Sequence, residues 1–159
     1  MSRGELPPRV NQLRIGEGIL TGTLDFRVWP DLPMRHQDAF TVTAEVIELK
    51  DKPSAPEGEV TVGAFMEAHD WPDLGIRRRA IVSLGEIDLR ASGITPRRPG
   101  VTLVGASSDV LVLDVTEAAP PVELGDALEF NATYTAVSTG WASACSTKVV
   151  RPSVSDTRQ

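Results

Sequence analysis

The stretch that most constrains the fold is Gly100–Thr116, GVTLVGASSDVLVLDVT. Val101, Leu103 and Val104 form one apolar run, and Val110–Val115 forms a second that Asp114 interrupts. Both have the length and β-branched content of buried strands. Between them lies Gly105-Ala106-Ser107-Ser108-Asp109, whose small residues let a backbone or ligand approach and whose polar groups stand at a strand end. The stretch reads as strand, tight turn, strand. The turn is either an ordinary hairpin connection or a place where a ligand is met.

Further strands follow from alternation. Phe40–Leu49, FTVTAEVIEL, sets Phe40, Val42, Ala44 and Val46 on one face and Thr41, Thr43 and Glu45 on the other, with Ile47 breaking phase. Ala80–Leu84 reads as a strand after Arg77-Arg78-Arg79, a run that suits an anion site or, more simply, a solvated strand face. Ala127–Tyr134, ALEFNATY, alternates again. Val60–Ala64 and Ser146–Val150 read as short strands, and Ala136–Ala144, small and polar, as a loop. The remainder is rich in turns: Thr21–Asp38, Lys52–Glu59, Ala68–Gly75, Ala91–Gly100 and Ala118–Gly125. Many short strands without a long amphipathic helix predict an all-β barrel or sandwich.

At 159 residues the chain suits one domain, and 41% hydrophobic residues exclude a disordered composition. A net charge of −6 disfavours a general nucleic-acid binder. The single Cys145 excludes an internal disulfide framework and permits a reducing cytoplasm. The N-terminus lacks a signal-peptide core and no apolar run reaches membrane-span length, so a cytoplasmic protein is expected. His36 and His69 lack cysteine partners at metal spacing, so no metal site is expected. No Gly-x-Ser-x-Gly elbow surrounds Ser107 or Ser108, and Cys145 has no neighbouring His.

Near the N-terminus, Asn11–Leu20 reads NQLRIGEGIL. Leu13 and Ile15 alternate like a short strand, and Gly16-Glu17-Gly18 turns into a helix or a loop. Backbone N–H groups beside glycines make an anion site, with Arg14 just before them; a plain connection is the alternative.

Five stretches in order resemble the alanine-racemase-like, pyridoxal-phosphate amino-acid racemases of the ornithine-racemase type. They are NQLRIGEGIL (11–20), EVIELKDKPSAPEGE (45–59), GIRRRAIVSLGEIDL (75–89), GVTLVGASSDVLVLDVT (100–116) and VELGDALEFNATYTA (122–136). The resemblance implies the C-terminal β-domain of a fold-type III racemase. Residues 1–38 would be the end of the α/β barrel and a linker, 39–151 the β-domain, and 152–159 a disordered tail. It also implies an amino-acid substrate, pyridoxal 5′-phosphate bound with a complementary barrel, and a homodimer.

By the same resemblance, Arg14 faces the cofactor's pyridine nitrogen, where a guanidinium only donates. Gly16 and Glu17 offer backbone N–H groups to its phosphate, and the Tyr134 hydroxyl reaches the same phosphate. Ser108 and Asp109 approach the substrate carboxylate. Glu86 stands where alanine racemases carry a catalytic tyrosine, and is either a base or a solvated turn residue. Val110 stands where ornithine-type members usually have His, and the tail TGWASACSTKVV departs from the family ending. The family's Schiff-base lysine lies on the first barrel strand, upstream of the matched stretches, so these residues are expected to be inactive alone. A non-catalytic binding or oligomerisation domain is the alternative.

Overall fold

The computed structural model describes residues 8–12, 14–21, 39–56, 58 and 72–151. Six strands form one antiparallel sheet: β1 (Thr41–Pro53), β2 (Ile76–Val82), β3 (Ile94–Pro96), β4 (Thr102–Ala106), β5 (Leu111–Asp114) and β6 (Ala127–Ala132). Their order is β3-β6-β1-β2-β5-β4, and the outer strands β3 and β4 approach each other, so the sheet curls into a nearly closed barrel. The mainly β architecture expected from alternation is therefore present.

The long strand β1 makes the curl. Its first half, Thr41–Glu45, pairs with β6, and its second half, Glu48–Pro53, pairs with β2. The register shifts between Val46 and Glu48, leaving Ile47 as a bulge residue, half exposed. A bulge bends its strand and adds twist, so the phase break at Ile47 in the sequence marks the bend. A second bulge lies between Leu103 and Gly105 on β4.

Alternation fills the interior. Phe130, Leu111, Leu113, Val46 and Val82 are the largest fully buried side chains, with Leu84, Leu89, Ile94, Val101, Val115, Val122 and Leu128 around them. Burying such side chains contributes roughly 1.5–3 kcal/mol each. The hairpin β4–β5 matches the Gly100–Thr116 reading, with Ser107 N donating to Val110 O (2.8 Å) across its turn. Gly100 has φ +75, and a Cβ there would stand 1.8 Å from Glu117 O. Only glycine fits that entry to the hairpin.

Several sequence expectations give way. Residues 134–142 form a helix, α2 (Tyr134–Ala142), where a loop was expected, and β6 ends at Ala132 rather than Tyr134. The helix is anchored on one 3-10 turn, Ala91–Gly93. Thr133 N donates to Gly93 O (2.8 Å) and Arg90 N to Thr139 Oγ1 (3.0 Å). A Cβ on Gly93 would lie 3.0 Å from Ala136 Cβ, so the close approach requires glycine. Residues 146–150 form no strand; Val149 and Val150 are exposed. Instead of a strand near Ile15, the N-terminal segment carries a short helix, α1 (Glu17–Leu20). The Arg77–Arg79 run lies inside β2 rather than before it. The expected strand at Val60–Ala64, and His36, His69 and Leu13, lie outside the described residues.

Candidate functional site

Two turns meet at one end of the barrel. After β2 the chain folds through Gly85–Asp88, where Gly85 N donates to Asp88 Oδ2 (2.9 Å) and Asp88 N to Gly85 O (3.0 Å). This turn presses against Ser107–Asp109. Glu86 N donates to Ser107 O and Ile87 N to Ser108 O, both at 3.0 Å. A Cβ on Gly85 would stand 2.1 Å from Ser108 O, so the two backbones touch because residue 85 has no side chain. Glu86 thereby shares one end of the barrel with Ser108 and Asp109, which lie over twenty residues further along the sequence.

Their side chains differ in commitment. Glu86 is half-buried, and its Oε1 accepts from Ala91 N at 3.3 Å, holding the 3-10 turn on which α2 rests. Ser108 and Asp109 are exposed, and Ser108 Oγ donates to Asp109 Oδ2 at 2.6 Å. Tyr134 opens α2 and is 40% exposed; its hydroxyl has no hydrogen-bond partner among the described residues.

The remaining candidates sit on the N-terminal segment. Arg14 is exposed and has no ion-pair partner among the described residues. Gly16 is the N-cap of α1, with no side-chain cap, and space beside its Cα is open. Its carbonyl accepts from Ile19 N (3.1 Å), and Glu17 O accepts from Thr21 N (2.8 Å). No hydrogen bond joins this segment to α2 among the described residues. The candidates thus fall into three places: the paired turns, the start of α2, and the α1 segment. Guanidinium, phenol and exposed backbone N–H groups are all donors, the kind of group a phosphate accepts from, but no hydrogen bond among the described residues joins the α1 segment to Tyr134.

The sequence reading missed the most buried charges. Asp114 is 5% exposed and accepts from Arg77 Nε (2.9 Å), Arg77 NH2 (3.3 Å) and Thr116 N (3.0 Å), while Arg79 NH1 lies 3.0 Å away. Burial pushes the Asp114 carboxyl up, but the Arg77 hydrogen bonds, Thr116 and the Arg79 charge outweigh it and hold it below the usual carboxylate range. Arg79 is buried and Arg77 only 22% exposed, so the expectation of a solvated arginine face is wrong for both. Arg78, on the other face, pairs with exposed Asp51. The signal was there: Arg77 and Arg79 are two apart, hence on one strand face, and Asp114 breaks an apolar strand.

Cavities open on the surface among the described residues. One of about 420 Å³ lies between the start of β1, α2 and residues 145–149, and excludes Glu86, Ser108 and Asp109. Another of about 340 Å³ lies on the outer face beside Arg79. Among the described residues, no three His, Cys, Asp or Glu side chains stand together as a metal set, and no helix is long and apolar enough to cross a membrane.

Comparison with characterised proteins adds the kinship. A lysine racemase of Thermotoga maritima is 41% identical over 154 residues, which is 97% of this chain and 43% of that protein. An ornithine racemase of Acetoanaerobium sticklandii is 36% identical over 143 residues, 90% of this chain and 40% of that protein. The chain spans about two fifths of the length of the curated relatives it matches. No protein-family profile matches it. Alignments that span 90–97% of the chain at 36–41% identity, together with a mainly β barrel, mark it as similar to a segment of the amino-acid racemases named for lysine and ornithine.

Proposed function

We propose that this chain is the C-terminal β-domain of a cytoplasmic, homodimeric, pyridoxal-phosphate-dependent racemase of basic amino acids, completed by an α/β barrel that carries the Schiff-base lysine. The observation that carries the reading is the locked pair of turns. It supports a role in which Glu86, Ser108 and Asp109 act together although three separate stretches of sequence build their surroundings. Relatives named for lysine and ornithine support a substrate with a cationic side chain.

Pyridoxal phosphate, when bound, supplies the electron sink that acidifies the substrate Cα–H. Arg14 donates to the ring nitrogen and keeps it unprotonated, because a guanidinium has no proton-accepting atom. Backbone N–H groups at Gly16 and Glu17, with the Tyr134 hydroxyl, bind the phosphate. Ser108 and Asp109 position the substrate. Glu86 keeps Oε1 on Ala91 and offers Oε2 for holding or returning a proton. Residues 1–159 alone do not racemise amino acids on this reading.

The test joins this chain to a barrel from the same family and measures cofactor affinity and racemisation of lysine, ornithine and alanine. Tyr134→Phe removes one hydrogen bond to a charged group, worth roughly 1.5–3 kcal/mol, so cofactor affinity falls by about one to two decades. Gln12→Ala, an exposed neighbour without an assigned role, leaves affinity unchanged. Equal affinity in the two variants refutes the Tyr134 assignment. A joined protein that binds no cofactor refutes the racemase reading and leaves a binding or oligomerisation domain.

A further inference from the structure

We propose that the outer-face groove beside Arg79 binds a monocarboxylate carried on a short apolar body. The cavity, about 340 Å³, is lined by Pro53, Ser54, Val104, Ala106, Val112 and Arg79. That is the lower end of the size range for small-molecule sites. Val104 stands at the β4 bulge, and Gly105 beside it lines the cavity as well.

The polar feature is a guanidinium that is 91% buried by residue and yet donates no hydrogen bond to any described residue. Its one charged contact among the described residues is Asp114, at 3.0 Å. Asp114 is already committed to both nitrogens of Arg77 and to Thr116 N. Buried polar groups are normally satisfied, and buried charges paired. Here two guanidinium groups share one buried carboxylate, since Arg77's other partner, Glu117, is 71% exposed. One positive charge remains in excess. Lys52, at the groove edge, is 44% exposed and already paired with Glu48 at 2.8 Å, so it brings no buried charge of its own.

The ligand class follows from that balance. A single negative charge neutralises the excess, whereas a phosphate dianion would leave a buried negative charge of its own. A carboxylate matches the planar fork of arginine with two parallel hydrogen bonds. Apolar walls ask for an apolar body behind the carboxylate. The polar side chains of the groove are otherwise occupied. Ser54 Oγ accepts from Leu74 N (2.6 Å) and donates to Pro72 O (3.3 Å), leaving Arg79, which shares Asp114 with Arg77, as the donor with N–H groups to spare.

The experiment titrates the full chain with hexanoate, with hexanol and hexylammonium as isosteric controls, following backbone amide shifts by NMR. Hexanoate should saturate with shifts centred on Gly105 and Ser107, and bind at least about tenfold tighter than either control. Arg79→Lys should weaken it by roughly tenfold, since an ammonium cannot make the paired bonds. Val112→Trp fills the groove while keeping both charges of the Arg79–Asp114 pair and should abolish binding; it keeps the test decisive if Arg79→Lys unfolds. No saturation by hexanoate, equal binding of hexanol, or undiminished binding by Val112→Trp would overturn the proposal.

Discussion

The barrel and the α1 segment treat their apolar residues in opposite ways. In the barrel, Val46, Val82, Leu111, Leu113 and Phe130 are at most 1% exposed. In the α1 segment, Ile15 is 46%, Ile19 70% and Leu20 44% exposed. The barrel closes its core on itself, while a four-residue helix of this kind gains little from its own hydrogen bonds. The contrast teaches that these residues combine a self-sufficient unit with a piece whose apolar side chains ask for another surface. That fits the proposed barrel partner, which the α1 segment would adjoin.

The comparison breaks first at Phe130. Phe130→Ala should destabilise the chain by about 3–5 kcal/mol, the range for a large buried aromatic, read as a lowered urea midpoint with an unchanged slope. A loss below 1 kcal/mol would show that the barrel is not the stable unit.

A smaller effect belongs to the outer-face charges. Asp114→Asn leaves the buried Arg79 guanidinium without its anion and Arg77 with only the exposed Glu117, and should cost about 2–3 kcal/mol at pH 7. That is less than the 3–5 kcal/mol for a wholly buried pair, because Arg77 keeps some water. The Asp114 carboxyl titrates below its unfolded value of about 3.9. Its contribution is therefore complete above that pH and is lost as pH falls through the lowered folded value. Urea titrations at pH 7 and pH 3 should show the gap between parent and Asp114→Asn narrowing on acidification; a gap that widens contradicts the assignment.

The smallest effect sharpens the other side. Ile19→Ser should change the stability of residues 1–159 by less than about 0.5 kcal/mol, as for exposed positions generally. The same substitution should weaken association with a barrel partner. A large loss of stability in the chain alone would place Ile19 in the barrel's own core and dissolve the contrast.

Legibility in the sequence follows the range of the interactions. Strands β1, β5 and β6 were readable because period-two patterns are local, and Ile47 announced the bulge by breaking one. Helix α2 was not readable: only Ala136 of its nine residues is buried, and Thr135, Ser138 and Gly140 look like loop residues. Its placement depends on Gly93, some forty residues away, so Tyr134 moves from a strand end to a helix start. The Arg77–Asp114 pair spans 37 residues and needs the β2–β5 register to be seen. Of the candidate site, the sequence supplied residue identities, and the fold supplied the meeting of Glu86 with Ser108 and Asp109.

The bulge at Ile47 carries one more implication. Removing that residue would leave Val42, Ala44, Val46 and Leu49 in unbroken alternation, and every side chain would keep its face. By any pattern score the shortened strand would be a better strand. It would also be straighter, and β1 would then have to choose between β6 and β2 rather than serve both halves of the wall. Curvature here is written as a single superfluous letter, so the position least regular in the strand is the one that makes an enclosure of a ribbon.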